Sequence, residues 1–339
     1  MTRQNKVTSH EVAALAGVSR SAVSRTFTPG ASVSVKTREK VQKAADQLGY
    51  RPNVLARSLI VRSTHMIGLV MSEWQNPFYT QMLRQFSERF QAEGYQLLLL
   101  TSTSDAGVDD SVRQLLQYQV DGLLIVSAKP SEAMAQTCAQ AGTPIVLVNR
   151  QSPVIRASSV TCDNAQIGRD IFSMLKSSGY QQIALVLGDP KVQTSVERNA
   201  AMNKAVAADK DIKIIAEIHG CLSYQAGREA IADLWNGPKR PDAIVCSSDQ
   251  TALGVLDGAR LDLKLAVPED IAVVGLGDIP QSSWGAYRLT TVNLPLDEMI
   301  NLAVEDLLAH VDDPELSPRR MKAKARLVFR DSVRPLRDS

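Results

Sequence analysis

The sequence predicts an α/β protein: a small helical head followed by a large two-lobed body of parallel sheets with flanking helices. Three observations predict it. The first 50 residues hold closely spaced helix starts and stops. From residue 65 short apolar runs alternate with amphipathic stretches, and that cycle restarts near residue 164. The charge is partitioned: residues 1–62 carry eleven Lys/Arg against three acids, +8, whereas the rest is −6, within an overall net charge of +2.

In the head, Thr8 with Glu11 three residues on is a capping-box pattern that starts a helix. Val12, Leu15 and Ala16 then recur at helical spacing as one apolar face. Gly17 supplies a corner with φ > 0, and Ser19 suits the N-cap of a second helix. That helix buries Ala22 and Val23 and exposes Arg20, Ser21, Ser24 and Arg25. A third helix runs from Ser34 to Leu48, with Val41, Ala44, Ala45 and Leu48 inward and Gly49 as its stop. Arg51-Pro52-Asn53 breaks the chain. Val54–Leu59 follows as a helical segment too short to be stable alone in water. A short helix with Arg and small polar side chains outward fits the major groove of DNA, and a basic head on a mildly acidic body is the footprint of a duplex binder.

The body's predicted strands are Met66–Met71, Gln96–Leu100, Gly122–Val126, Pro144–Val148, Ile183–Leu187, Lys213–Ile218, Ala243–Cys246 and Ile271–Val274. Helices are predicted near 78–93, 109–119, 132–141, 164–178, 197–208, 224–235 and 250–261. Every connection is βα or αβ, so the sheets should be parallel and covered on both faces. Two such halves imply a cleft lined by the carboxyl ends of strands. Leu289–Val292, Leu296–His310 and Ala325–Arg330 are expected to complete the first half after the chain crosses back. The expected domains are a head over 1–50, a hinge helix and linker over 51–64, and a body over 65–339. Its lobes span about 65–160 with 293–330, and 161–292.

Composition narrows the function. Hydrophobic residues make up 44% of the chain, ample for a core. The polar N-terminus lacks the apolar stretch of a signal peptide, and no run approaches the ~20 apolar residues of a membrane helix. Cys138, Cys162, Cys221 and Cys246 are scattered without metal-ligand spacing, so reduced, buried thiols in a cytoplasmic protein with no bound metal are expected. Gly275-Leu276-Gly277-Asp278 resembles part of a dinucleotide fingerprint, but it lacks the third glycine and follows a late strand. There is no phosphate-binding loop, no nucleophile elbow and no HExxH, and the four histidines form no motif. An enzyme and a cofactor are therefore not expected. A purely architectural DNA protein would not need so large a bilobal body.

The arrangement resembles the LacI/GalR family of bacterial transcription regulators over about residues 6–335. The resemblance is carried by Glu11-Val12-Ala13 through Gly17-Val18-Ser19 to Val23-Ser24-Arg25, by Leu48-Gly49-Tyr50-Arg51-Pro52-Asn53 and by Ala56-Arg57-Ser58-Leu59. Further on, Asn76-Pro77-Phe78, Val120-Asp121-Gly122-Leu123, Ser248 to Gly254, Val267 to Ile271 and Arg330-Asp331-Ser332 sit in register. It implies a homodimer that reads a near-palindromic operator, usually as a repressor, with activation or corepressor dependence as alternatives. It also implies DNA contacts from Thr8, Ser9, Ser19, Arg20, Ser21, Ser24, Arg25, Ser34, Thr37, Asn53, Arg57 and Leu59. Thr8 and Ser34 can hold phosphates, cap helices or do both, and Leu59 would be a wedge in the minor groove. The hinge would fold only when paired on DNA.

The resemblance further implies a small-molecule effector between the lobes, contacted by Phe78, Tyr79, Asn149, Thr194, Arg198, Leu222, Ser248 and Asp278. Phe78 and Tyr79 either stack on the ligand or belong to the core beneath the first body helix. Several positions depart from the pattern. Thr28 stands where many members have Asn, and Ile60 follows the wedge where some have a basic residue. Gly277 replaces an acid that binds sugar hydroxyls in relatives, and Arg198–Met202 lacks the usual Gly-Phe ending. With Arg198 retained, and Arg150 and Lys191 near it, the loss of that carboxylate points to an anionic or less hydroxylated effector. No leucine heptad follows Arg334 to build a tetramer.

Overall fold

The computed structural model describes residues 7–28, 30–51, 63–72, 76–102, 105–152, 154–190 and 192–336. They fall into two compact units, divided between Thr64 and His65. The predicted hinge helix, with Asn53, Arg57 and Leu59, lies outside the described residues.

The first unit is three helices: α1 (Ser9–Ala16), α2 (Arg20–Thr26) and α3 (Val35–Leu48). Its core is Val12, Ala13, Ala16, Val23, Val41, Ala44 and Ala45. The predicted face of α1 is corrected at one position: Leu15 is 48% exposed, and Ala13 is buried instead. Val12, Ala13 and Ala16, spaced one and three residues apart, share the inward face of α1, and Leu15 lies off that face. Gly17 and Gly49 both take left-handed φ values, +63° and +65°, and end their helices as predicted.

The second unit holds two six-stranded sheets. Sheet one is built from β1 (Met66–Met71), β2 (Gln96–Thr101), β3 (Gly122–Val126), β4 (Ile145–Val148), β5 (Ser158–Cys162) and β11 (Arg320–Ala323), ordered β11-β5-β4-β3-β1-β2 and all parallel. Sheet two contains β6 (Gln182–Val186), β7 (Lys213–Ile218), β8 (Ala243–Cys246), β9 (Ala272–Gly277), β10 (Thr290–Asn293) and β12 (Arg326–Val328), ordered β12-β10-β9-β8-β6-β7. Only β12 runs antiparallel, against β10 at the sheet's edge. Helices α4 (Pro77–Ala92), α5 (Asp105–Gln117), α6 (Glu132–Gln140) and α11 (Leu296–Asp312) pack on sheet one or beside its helices. Sheet two carries α7 (Asn164–Ser177), α8 (Gln193–Ala207), α9 (Tyr224–Asn236) and α10 (Asp249–Asp257), the last extended by a π-turn over Gly258–Asp262.

Two expectations about the strands are corrected. β10 and β12 are expected in the first half but belong to sheet two; the helix over Leu296–His310 does join the first lobe, as α11, and the strand that accompanies it there is β11. An apolar strand does not encode which sheet it joins; that follows from pairing across the fold. The chain consequently crosses between lobes three times, after β5, after β10 and after β11. β5 was not foreseen because its sequence, Ser-Ser-Val-Thr-Cys, is polar. It is nevertheless wholly buried, and Ser158 Oγ accepts a hydrogen bond from Arg319 N at 3.0 Å.

Among the described residues no helix is long and apolar enough to cross a membrane. All four cysteines are free and buried.

Candidate functional site

The head presents α2 as its polar outer face. Ser19 caps the helix by accepting from Ala22 N at 3.3 Å, and its hydroxyl lies 2.9 Å from that of Ser21. Ala22, Val23 and Thr26 anchor the inner face, leaving Ser19, Arg20, Ser21, Ser24 and Arg25 exposed together. At α1 the Glu11 carboxylate accepts from both Thr8 N (2.7 Å) and Thr8 Oγ1 (2.9 Å), and these bonds hold its pKa below the usual range. Ser9 is half-buried. Ser34 caps α3, accepting from Thr37 N at 3.2 Å and donating to Thr37 Oγ1 at 2.8 Å. Both helix starts thus have their capping hydroxyls engaged within the head, and the start of α1 already holds a carboxylate, that of Glu11. The sequence gives Arg38 no individual role. In the structure its guanidinium donates to Thr26 O at 3.1 Å and clamps the end of α2 to α3.

In the body, a cleft opens at the carboxyl ends of both sheets. Ser127 follows β3, Asn149 follows β4, and Cys162 and Asn164 flank the first crossing. From the other lobe come Gly188 and Asp189 after β6, Ser247 and Ser248 after β8, Leu276 and Gly277 of β9, and Thr194, Ser195 and Arg198 of α8. Phe78 and Tyr79 of α4 and Leu222 also line it. The space open to water-molecule centres is about 80 Å³, enough for several waters. Ser127 and Asn149 both hold left-handed backbone conformations, φ +57° and +56°. Such conformations cluster where a scaffold presents side chains to a ligand.

Seven of the eight predicted effector residues meet here, namely Phe78, Tyr79, Asn149, Thr194, Arg198, Leu222 and Ser248. Phe78 and Tyr79 belong to the core beneath the first body helix, each 6% exposed, and both also line the cleft. Asn149 Nδ2 donates to Tyr79 Oη at 2.7 Å. Ser248 is engaged as the N-cap of α10, accepting from Thr251 N at 3.3 Å.

Asp278 is the exception and is corrected. Its carboxylate accepts from Arg330 at 2.7 Å and from Asn293 Nδ2 at 3.0 Å, beside a neighbouring cavity. The reason is local: Gly277 has φ +134°, open only to glycine, and Asp278 follows with φ +55°, so the chain turns away from the cleft.

Arg198 lies deep, only 7% exposed. Its guanidinium approaches Asn164 Oδ1 and Ser195 Oγ at 3.4 Å each. Burial lowers its pKa to about 10, so it stays charged at neutral pH. Burial also pushes the Cys162 thiol up to about 12, so that group stays neutral.

Several residues that organise the site were not foreseen. Asn164 and Ser195 went unnoticed because β5 and the start of α8 were unplaced. The α8 N-cap is Val192, which makes no side-chain cap, so the sequence carries no start signal there. Gln151 Nε2 donates to Glu197 Oε1 at 2.6 Å and bridges the lobes at the rim. Asp249, 1% exposed, accepts from Ile279 N, Ser282 Oγ and Thr291 Oγ1 and so ties the start of α10 to the 279–282 segment and to β10. Burial nonetheless raises its pKa. No group of acids, histidines and cysteines among the described residues has the arrangement of a metal site.

The model of bacterial regulatory proteins of the lacI family matches residues 8–53, and that of periplasmic binding proteins and the sugar-binding domain of the LacI family matches residues 64–329. The chain belongs to the LacI family. Its relatives include the ribose operon repressor of Escherichia coli, 31% identical over 96% of this chain and 99% of that one. The regulator CelR of Thermobifida fusca is 31% identical over 98% and 100%. Among solved structures, a Lac repressor dimer bound to operator and an anti-inducer matches with TM-score 0.86 and 27% identity, over 97% of this chain and 99% of that one. A CelR–cellobiose complex matches with TM-score 0.69 and 30% identity, over 96% and 100%. As a LacI-family protein the chain is a DNA-binding transcriptional regulator with a small-molecule-binding body.

Proposed function

We propose that the protein is a cytoplasmic repressor that binds a near-palindromic operator as a homodimer and changes its operator affinity when a small polar metabolite occupies the cleft. The observation that carries this reading is the pairing, in one chain, of a head exposing Arg20, Ser21, Ser24 and Arg25 with a polar interlobe cleft centred on Arg198. Arg20, Ser21 and Arg25 would read base edges; Thr8, Ser9, Ser34 and Thr37 would hold phosphates. Two relatives support the output and the switch, a Lac repressor dimer bound to operator and a CelR–cellobiose complex. Self-association has a candidate face: Leu261 and Trp284 are 57% and 54% exposed on adjoining segments, which Arg260 links by donating to Ala286 O at 2.7 Å.

The ligand acts only through its differential affinity for two body states. The Gln151–Glu197 bridge is a contact that opening the lobes would break. The test is a gel shift of the full chain on the DNA upstream of its own coding region. Retention should resist competitor DNA and fall steeply with salt, and cleft ligands should alter it. Retention no stronger than on random DNA would refute the reading. Sequencing the DNA fragments bound by the protein would then define the operator.

A further inference from the structure

One edge of sheet one carries a row of cations that no acid answers. β11 pairs with β5 alone, so among the described residues its other side is unpaired. Ser159 N donates to Arg319 O, and in a parallel ladder that turns the backbone groups of Arg320 and Lys322 toward the open side. Residues 316–330 hold six Lys/Arg and no acid. Along β11 and the crossing that follows it, Arg320, Lys322, Lys324 and Arg326 are exposed, whereas Met321 and Ala323 are buried. That alternation is the period of an extended strand, so the four side chains share one face at intervals of about 6.6 Å.

Among the described residues none of the four forms an ion pair. Arg319, just before them, lies 3.8 Å from the buried Asp306. Asp297 and Glu298 share a cavity with Lys324 and Arg326 but pair with neither. The uncompensated positive charge is therefore greatest at Arg320 and Lys322.

Charge and geometry together select the occupant. A row of like charges along an edge repels a second copy of the same edge. It attracts an extended segment of opposite sign, which can add to the open side of β11 as a further strand. The added strand has the same period of two, so acids at every second position meet Arg320, Lys322 and Lys324 in register. A duplex is the poorer fit. The stripe is one strand wide, and the chain beyond residue 62, with 27 Lys/Arg against 33 Asp/Glu, is −6 overall and repels a broad polyanion around it.

We infer that the outer edge of β11 is a docking site for an acidic, extended segment of a partner protein, held by strand addition and by Arg320, Lys322 and Lys324. This surface is separate from the interlobe cleft and from the exposed face of α2, and its test does not depend on the operator or the effector.

Fluorescence anisotropy on the full-length chain tests it, with a labelled, end-blocked peptide of eight residues in which Glu and Val alternate. One control has the same composition with the acids in a single block. The other is the alternating peptide with its backbone nitrogens methylated, which keeps the charge and removes the ladder. The alternating peptide should bind at low salt, weaken as salt rises, and bind about tenfold tighter than either control. Arg320→Gln with Lys322→Gln should weaken it about threefold to thirtyfold, the effect of losing two exposed ion pairs. Both side chains are exposed, so circular dichroism should show a native fold. Hydrogen exchange on the wild-type chain gives a second readout: bound peptide should slow the Arg320 and Lys322 amides. The inference is overturned if the alternating peptide does not bind, if either control binds as tightly, if the double variant binds unchanged, or if exchange at β11 does not slow. A non-operator duplex whose affinity falls in the same double variant, and which displaces the peptide, would make the stripe a nucleic-acid contact and overturn it as well.

Discussion

Gly168 sits on α7 where that helix crosses α8, and a Cβ built there would lie 2.3 Å from the carbonyl oxygen of Arg198 and 3.2 Å from Met202 N. A methyl carbon and a carbonyl oxygen need roughly 3.3 Å, so Gly168→Ala must push the two helices apart by about 1 Å or bend them. At an exposed helical site the same substitution would stabilise by up to ~1 kcal/mol through backbone entropy. Overpacking against a backbone that cannot rotate away costs about 1–3 kcal/mol. The obstruction should win, for a net loss of about 1–2 kcal/mol. The displaced turn is the one that carries Arg198, so cleft affinity should fall as well. Urea unfolding followed by circular dichroism reads the first effect, and calorimetry with the cleft ligand reads the second. A Gly168→Ala protein at least as stable as wild type, with unchanged affinity, would show that α7 and α8 do not position the guanidinium.

Four further outcomes are expected. Arg198→Met should leave stability equal or raise it by up to about 2 kcal/mol in urea unfolding, because an uncompensated buried charge is replaced by an apolar chain, while any ligand response is lost. Asp249→Ala should cost about 3 kcal/mol, since it strands the buried Ile279 N–H and two hydroxyls, whereas Asp249→Asn keeps an acceptor and should cost less; chemical denaturation of both variants ranks them. Arg25→Ala should weaken specific operator binding by about 1–3 kcal/mol, whereas Ser34→Ala should mainly lower head stability by ~1 kcal/mol; salt-titrated gel shifts and melts of both variants separate the roles. The lowered pKa of Glu11 means its contribution is complete above the ordinary carboxylate value, 4.5, and is lost as pH falls through the lowered value; melts of Glu11→Gln should show a flatter acid limb than wild type.

The sequence by itself determined the local elements and the two units. Capping patterns, Gly17, Gly49 and the two periodicities are short-range, so they name helices and strands wherever a few neighbouring side chains suffice. They failed at β5, a polar strand buried because it pairs with β4 on one side and β11 on the other, and at the start of α8, which no capping side chain marks. Likeness of motif placed seven of the eight cleft residues, but Asp278 depended on the backbone turn at Gly277 and on Arg330, which lies 52 residues away. Which lobe receives β10, β11 and β12, which groups meet across the cleft, and that no described carboxylate pairs with Arg198 were decided by tertiary structure alone. Pairing, burial and the electrostatic balance of a site are sums over residues distant in sequence, and no local pattern contains them.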